Sequence, residues 1–364
     1  MTKKKVGVVF GGKSAEHEVS LQSAKNIVDA IDKDKYEVML IGIDKEGKWH
    51  LNDQSSYLLN AENPKLIQLN KSNEHVAIVP GDENNQLIHA SKSVPLEQLD
   101  VIFPIVHGTL GEDGSLQGMF RAANLPYVGS NVLGSSVCMD KDIAKRLLGA
   151  AGINVAKGLV FKRNRKNEIN YEKAVEFLGT PLFIKPANQG SSVGVSKVYT
   201  EGEFKQGIES AFEYDHKIII EESIDGREIE CSVLGNDDPK ASLLGEILPK
   251  TEFYSYESKY IDETGAELAI PADLTEEETK RMQEVAVKAF ETLECGGLAR
   301  VDFFLTKGGE IYVNEVNTLP GFTKISMYPK LWEISGISYP DLINELIELA
   351  IQRHQDDNDL KSSV

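Results

Sequence analysis

The residues best equipped for chemistry lie in GLARVDFFLTKGGEIYVNEVNTLPGFTKISM, residues 297–327. Arg300, Asp302, Glu315 and Asn317 sit in or beside two apolar segments, 298–305 and 311–316, separated by Thr306-Lys307-Gly308-Gly309-Glu310. Gly-Gly is a favoured pair for a two-residue hairpin turn. With Gly308 and Gly309 in that turn, Lys307 faces Glu310, Asp302 faces Glu315, and Arg300 faces Asn317. Side chains alternate faces along a strand, so the four polar groups share one face. Two opposed carboxylates repel unless a proton or a cation lies between them. Two carboxylates and an amide form an oxygen-only donor set suited to Mg2+, which keeps waters and accepts phosphate oxygens. The plainer alternative is a solvated hairpin face with a salt bridge between Arg300 and an acid. Leu319-Pro320-Gly321-Phe322-Thr323 leaves the strand bearing Asn317, so its backbone N–H groups can point at whatever the metal holds.

At 364 residues the chain is long for one core and suggests two or three domains. Its 41% hydrophobic and 26% charged residues are those of a globular protein. The net charge of -18 argues against a nucleic-acid partner, which needs clustered Lys and Arg, and local lysines must overcome that field wherever an anion binds. Cys138, Cys231 and Cys295 are odd in number, far apart and in no metal spacing, as expected of reduced thiols in a cytoplasmic protein. The apolar run after MTKKK is too short for a signal peptide, and no segment approaches a membrane span.

The elements that must position these groups follow from hydrophobic period and glycine placement. A buried strand over 6–10 runs through Gly11-Gly12-Lys13-Ser14-Ala15-Glu16-His17-Glu18-Val19-Ser20 into a helix ending near Ile31, the usual opening of an α/β domain. Strands follow over 36–43 and 100–106, with 44–99 irregular between them. The second of these strands ends in His107-Gly108-Thr109-Leu110-Gly111-Glu112-Asp113-Gly114, so His107 and Glu16 lie on equivalent loops and form a plausible substrate contact. A last strand of this unit is expected over 126–129 and one continuous helix over 136–151.

A new α+β unit begins near Ile153. Its strand over 181–187 carries Lys185 and leads into Asn188-Gln189-Gly190-Ser191-Ser192-Val193-Gly194, whose backbone donors and hydroxyls can close over phosphates. An ordinary hairpin connection is the plainer alternative. A helix over 202–212, a strand over 217–222 ending in Glu221-Glu222, and a strand over 229–234 come next. TEFYSYESKYIDET, residues 251–264, has no period and suits a lid. Helices over 275–294 and 339–355 flank the hairpin, and 356–364 reads as a disordered tail.

In this order the pieces resemble the ATP-grasp carboxylate–amine ligases. The Gly11–Ser20 motif, His107-Gly108 with Gly111-Glu112-Asp113-Gly114, Lys185-Pro186 with Gly190–Gly194, and Asn317 with Pro320–Thr323 are similar to those of the D-alanine–D-alanine ligases, along essentially the whole chain. The resemblance implies a three-domain ATP-grasp fold, α/β and α+β, with an N-terminal parallel-sheet domain over 1–130, a central subdomain over 131–222 and a catalytic domain over 223–364 carrying the lid. It implies ATP, with Lys141 and Lys185 on the α- and β-phosphates and Ser191, Ser192 and Val193 covering the phosphate tail. Glu221, Glu222 and Ile224 would form the adenine edge, Glu228 the ribose contact, and Lys259 a further nucleotide contact.

Asp302, Glu315 and Asn317 match the family's ligands for two Mg2+ ions, with Mn2+ able to substitute. Glu16, Val19 and His107 would hold the first D-alanine; Lys259, Ser326 and Met327 the second; Arg300 and the Gly321 N–H would serve the oxyanion. Tyr260, linked with Ser191 and Glu16, favours D-alanine as acceptor over D-lactate, while a ligase making D-alanine–D-lactate or D-alanine–D-serine is the alternative. His17 stands where some relatives have Arg, and Met327 where others have Leu. The family further implies a cytoplasmic homodimer acting on small molecules in peptidoglycan synthesis, without nucleic-acid or membrane partners.

Overall fold

Strand Lys4–Gly11 is apolar along both faces, and a strand of that kind must be covered on both sides. It pairs in parallel with Tyr36–Ile43 and with Val101–Ile105, while Trp49–Asn52 closes one edge antiparallel. Helix His17–Ala30 returns the chain between the first two strands. The structure is a computed structural model and describes residues 2–81, 85–249 and 266–361. The segment expected to be irregular contains three small pairings, Leu58–Leu59 with Gln68–Leu69, Val76–Ile78 with Leu87–His89, and Leu87–His89 with Val94–Pro95. The strand expected over 126–129 is a single parallel bridge between Ile102 and Tyr127.

Two antiparallel sheets make up the rest. The first has the order Gly158–Lys162, Lys217–Glu222, Leu182–Pro186, Ser196–Val198 and is packed by helices Tyr171–Leu178 and Glu201–Tyr214. The second has the order Ala266–Ala269, Lys240–Pro249, Gly226–Gly235, Gly297–Thr306, Ile311–Asn317, and helix Glu276–Thr292 covers its apolar face. Helices Glu201–Tyr214 and Glu276–Thr292 each start on a reciprocal cap, Thr200 with Glu203 and Thr275 with Glu278, each satisfying two otherwise orphaned N–H groups.

One core spans both ends of the chain. Phe10, Leu21 and Phe103 of the first unit pack with Phe322, Tyr328, Trp332 and Leu346 near the C-terminus. The rings of Phe103 and Phe322 meet edge to face at 5.9 Å. Burying a side chain of that size contributes about 1.5–3 kcal/mol, so the loop after the hairpin is anchored against the first sheet.

Three expectations are corrected. The helix expected over 136–151 is two helices, Val132–Met139 and Lys141–Ala150, because Asp140 leaves the helical conformation and accepts the Ile143 N–H at 3.2 Å as a cap. The last helix runs over Tyr339–Asp359, into the expected tail, since neither Gly nor Pro interrupts 356–359.

The hairpin is the third. Its loop holds three residues, Lys307, Gly308 and Gly309, with the Thr306 N–H donating to the Glu310 carbonyl at 3.0 Å and Gly309 at a φ of 78°. Alone, this would shift every partner by one. A β-bulge then inserts Asn314, restoring the expected pairs Asp302 with Glu315 and Arg300 with Asn317.

Candidate active site

The face that carries chemistry follows from that bulge. In strand Ile311–Asn317 the apolar Ile311, Val313 and Val316 are buried, whereas the consecutive Asn314 and Glu315 are both half-buried on the polar side. Asn314, an unforeseen member of the site, lines the same cavity as Glu315. Strand Gly226–Gly235 pairs on the other side and puts Glu230 opposite Asp302, so Glu230, Asp302 and Glu315 form a row across three strands.

Such a row needs cations. Arg300 donates to both Asp302 oxygens at 2.7 Å and lies 3.0 Å from Glu230, and Lys141 lies 3.2 Å from Glu315. The Asn317 amide donates to Asp302 at 3.0 Å. The Arg300 salt bridge expected as the plainer alternative is therefore present, within a shared polar face.

A cavity of about 250 Å³ lies between the two antiparallel sheets. Lys141 begins helix Lys141–Ala150, reaching the Gln189 carbonyl at 2.7 Å as well as Glu315. In the sheet, Phe183 faces Glu221 and Lys185 faces Ile219, which makes Lys185 a diagonal neighbour of Glu221. Their ion pair is 2.6 Å, and the other Glu221 oxygen lies 2.5 Å from Lys145. Burial alone would raise the Glu221 carboxyl, but the two ammonium charges outweigh it and hold its pKa below the usual range. Both Glu221 oxygens thus lie against lysines, which occupies its side chain. Glu222 accepts the Lys157 N–H at 2.8 Å, and Ile224 and Glu228 line the same cavity.

The serine loop closes it. Ser191 and Ser192 both take left-handed backbone angles, φ 50° and 59°, a conformation uncommon outside glycine, and Val193 donates to the Gly190 carbonyl at 3.1 Å. The Ser191 hydroxyl donates to Glu16, joining this loop to the first unit. Glycine is required opposite: Gly108 has a φ of 75°, and a Cβ there would sit 2.6 Å from a Glu16 oxygen.

His107 has a partner on each ring nitrogen. The Leu319 carbonyl can only accept, so Nδ1 carries the proton and donates to it at 2.9 Å, leaving Nε2 to accept from the Ser23 hydroxyl at 3.1 Å. The Phe322 N–H approaches the same Ser23 oxygen at 3.4 Å. Burial lowers the His107 pKa, in keeping with this neutral ring. Both nitrogens are thus occupied in fixing the 319–322 loop.

Glu112 fixes it too, accepting the Gly108 N–H at 2.6 Å and the Leu319 N–H at 3.2 Å. Burial, aided by the charge on Glu16, pushes this carboxyl up to about 8.

In the following turn the Ser326 hydroxyl accepts the Thr323 N–H at 3.0 Å, and a Cβ on Gly321 would lie 3.0 Å from it. Met327 is buried against Ile247 and Leu331, and Val19 is buried on helix His17–Ala30. Lys259 and Tyr260, with the lid expected over 251–264, lie outside the described residues. Among the described residues no group of three or more His, Cys, Asp or Glu is placed to hold a metal, and no helix is long and apolar enough to cross a membrane. The expected metal set has only two acids and takes its third donor from an amide.

Known proteins share this arrangement of elements. The family profile of the D-ala D-ala ligase N-terminus matches residues 5–130, and that of the D-ala D-ala ligase C-terminus matches residues 147–348. The D-alanine–D-alanine ligase of Shouchella clausii (strain KSM-K16) is 69% identical over 364 residues, 100% of this chain and 99% of that one. D-alanine–D-alanine ligase A of Salmonella typhimurium is 58% identical over 364 residues, 100% of each. Among solved structures, the D-alanine–D-alanine ligase from Coxiella burnetii has a TM-score of 0.84 at 41% identity, covering 98% of this chain and 97% of that one. The VanG D-Ala:D-Ser ligase from Enterococcus faecalis has a TM-score of 0.84 at 39% identity, covering 96% and 100%. With both halves matched in order and relatives this similar along the full length, the chain belongs to the D-alanine–D-alanine ligase family and has its ATP-grasp fold.

Proposed function

We propose that the chain joins two D-alanines into D-alanyl-D-alanine, cleaving ATP to ADP and phosphate, and so supplies a building block of peptidoglycan. A carboxylate is a poor acylating agent, so the first D-alanine takes the γ-phosphoryl of ATP on its carboxylate and becomes an acyl phosphate. The amine of the second D-alanine attacks that carbon, a tetrahedral oxyanion forms, phosphate leaves, and an amide bond remains.

The observation that carries this proposal is the polar face on which Asp302 opposes Glu315 with Arg300 and Lys141 already pairing them. Lys141 and Lys185 hold the α- and β-phosphates under the Ser191–Val193 backbone, Glu221, Glu222 and Ile224 border the adenine, and Glu228 takes the ribose. Glu16, Val19 and His107 define the first D-alanine site, His107 by holding the loop that carries the Gly321 N–H. Arg300 and that N–H face the oxyanion. Ser326, Met327, Lys259 and Tyr260 belong to the second D-alanine site.

The all-oxygen set of Asp302, Glu315 and Asn317, whose two carboxylates already draw the cations Arg300 and Lys141, fits Mg2+ or Mn2+. When bound, two such ions would neutralise charge on the transferring phosphoryl group. Residues 1–130 form the first-substrate domain, 131–222 the nucleotide cover and 223–364 the catalytic domain of a cytoplasmic homodimer.

The test is phosphate release from ATP against a panel of D-amino and D-hydroxy acids. D-alanine should be required and L-alanine inert. The likeness to a D-Ala:D-Ser ligase favours one second reading, a D-serine acceptor. Faster turnover with D-serine than with D-alanine would establish it. ATP bound tightly, with no turnover on any member of the panel, would overturn both.

A further inference from the structure

Lys145 lies one turn beyond Lys141 on helix Lys141–Ala150, and its side chain is 9% exposed. Unlike Lys141 and Lys185, it is not among the residues lining the cavity. Glu221, itself only 4% exposed, is the one acid within salt-bridge reach of Lys145 among the described residues, and Lys185 holds the opposite oxygen of the same carboxylate. Two ammoniums on one carboxylate leave a single net positive charge beside the cavity. Without Lys145, Glu221 and Lys185 would form a neutral pair, closed on itself in a place where water screens little.

We infer that Lys145 is a positioning residue: by its ion pair with Glu221 it leaves the Lys185 ammonium a surplus charge with which to hold the phosphates of a nucleoside triphosphate. This inference rests on the proposed ATP site and adds to it a residue that touches no ligand. Burial, opposed by Glu221, brings the Lys145 pKa down to about 8, so the extra charge is present at neutral pH. The groups facing it are Glu221, Lys185 and Glu315.

The experiment is calorimetric titration of the full chain with a non-hydrolysable ATP analogue and Mg2+, for wild type, Lys145→Met and the double variant Lys145→Met/Glu221→Gln, with thermal melts to confirm folding. Lys145→Met should weaken binding about tenfold, the order expected of one unit charge acting through a few partly shielded ångströms. The double variant, which removes the carboxylate along with the surplus lysine, should recover most of that loss, an outcome that a purely structural Lys145 would not give. If Lys145→Met does not fold, Lys145→Gln, which keeps a donor toward Glu221, serves in its place. Wild-type affinity in a folded single variant, or a double variant no better than the single, overturns the inference. Failure of the wild type to bind the analogue would instead remove the ATP site on which it stands.

Discussion

Glu221 and the hairpin acids Asp302 and Glu315 belong to two different sheets and are built on opposite terms. Glu221, 4% exposed, has both oxygens on lysines, and its pKa lies below the usual range. Asp302 and Glu315 are 14% and 24% exposed, and the ion pairs that hold them run to Arg300 and Lys141. A carboxylate saturated by buried cations has nothing left for a ligand, and its work is to fix charge. Asp302 and Glu315 are less buried and keep more of their surface open. Glu112 is the third case: among the described residues it accepts from the backbone N–H groups of Gly108 and Leu319, and its carboxyl is pushed up to about 8. The difference teaches that burial together with the number of cationic partners, rather than the acid itself, separates scaffold from ligand.

Stability measurements can break this comparison. The largest effect belongs to Glu221→Leu, which strands two buried ammoniums and should cost about 3–5 kcal/mol in denaturant unfolding. A cost below about 1 kcal/mol would mean that the lysine pairs are not buried in the sense used above.

Next comes Glu112, whose folded pKa lies above the ordinary 4.5. Between pH 4.5 and about 8 the folded state therefore keeps a proton that the unfolded state has lost. Stability from this group is full below pH 4.5 and drains away as pH rises toward 8. Glu112→Gln should flatten that fall relative to wild type, and parallel curves for the two proteins would place the proton elsewhere. The smallest change belongs to Glu315→Gln, about 1 kcal/mol or less, because the amide keeps an oxygen that can accept from Lys141, 3.2 Å away.

How far these terms could be read from the chain depends on how local they are. The pairing of Asp302 with Glu315 was legible because strand alternation and Gly308-Gly309 constrain it within a few residues. It was reached through two offsetting errors, a three-residue loop and the bulge at Asn314, and no period reveals a bulge. Glu221 was legible as a strand-end acid but not as a doubly paired one, since its lysines come from a neighbouring strand and from a helix about 75 residues upstream. Lys145 did leave a signal, the i,i+4 spacing from Lys141 on one helical face. Glu230 required knowing that strand Gly226–Gly235 lies beside the hairpin, a pairing made across more than 60 residues. His107 was placed correctly at a strand end, whereas its hold on the Leu319 carbonyl depends on a contact between the two ends of the chain.

The claim that the hairpin acids do the chemistry while Glu221 keeps the charge is tested most directly by steady-state turnover of folded Glu315→Gln with ATP and D-alanine. A fall in kcat of about two orders of magnitude or more, with the melting temperature nearly unchanged, is the expected result. A kcat near that of the wild type would contradict it.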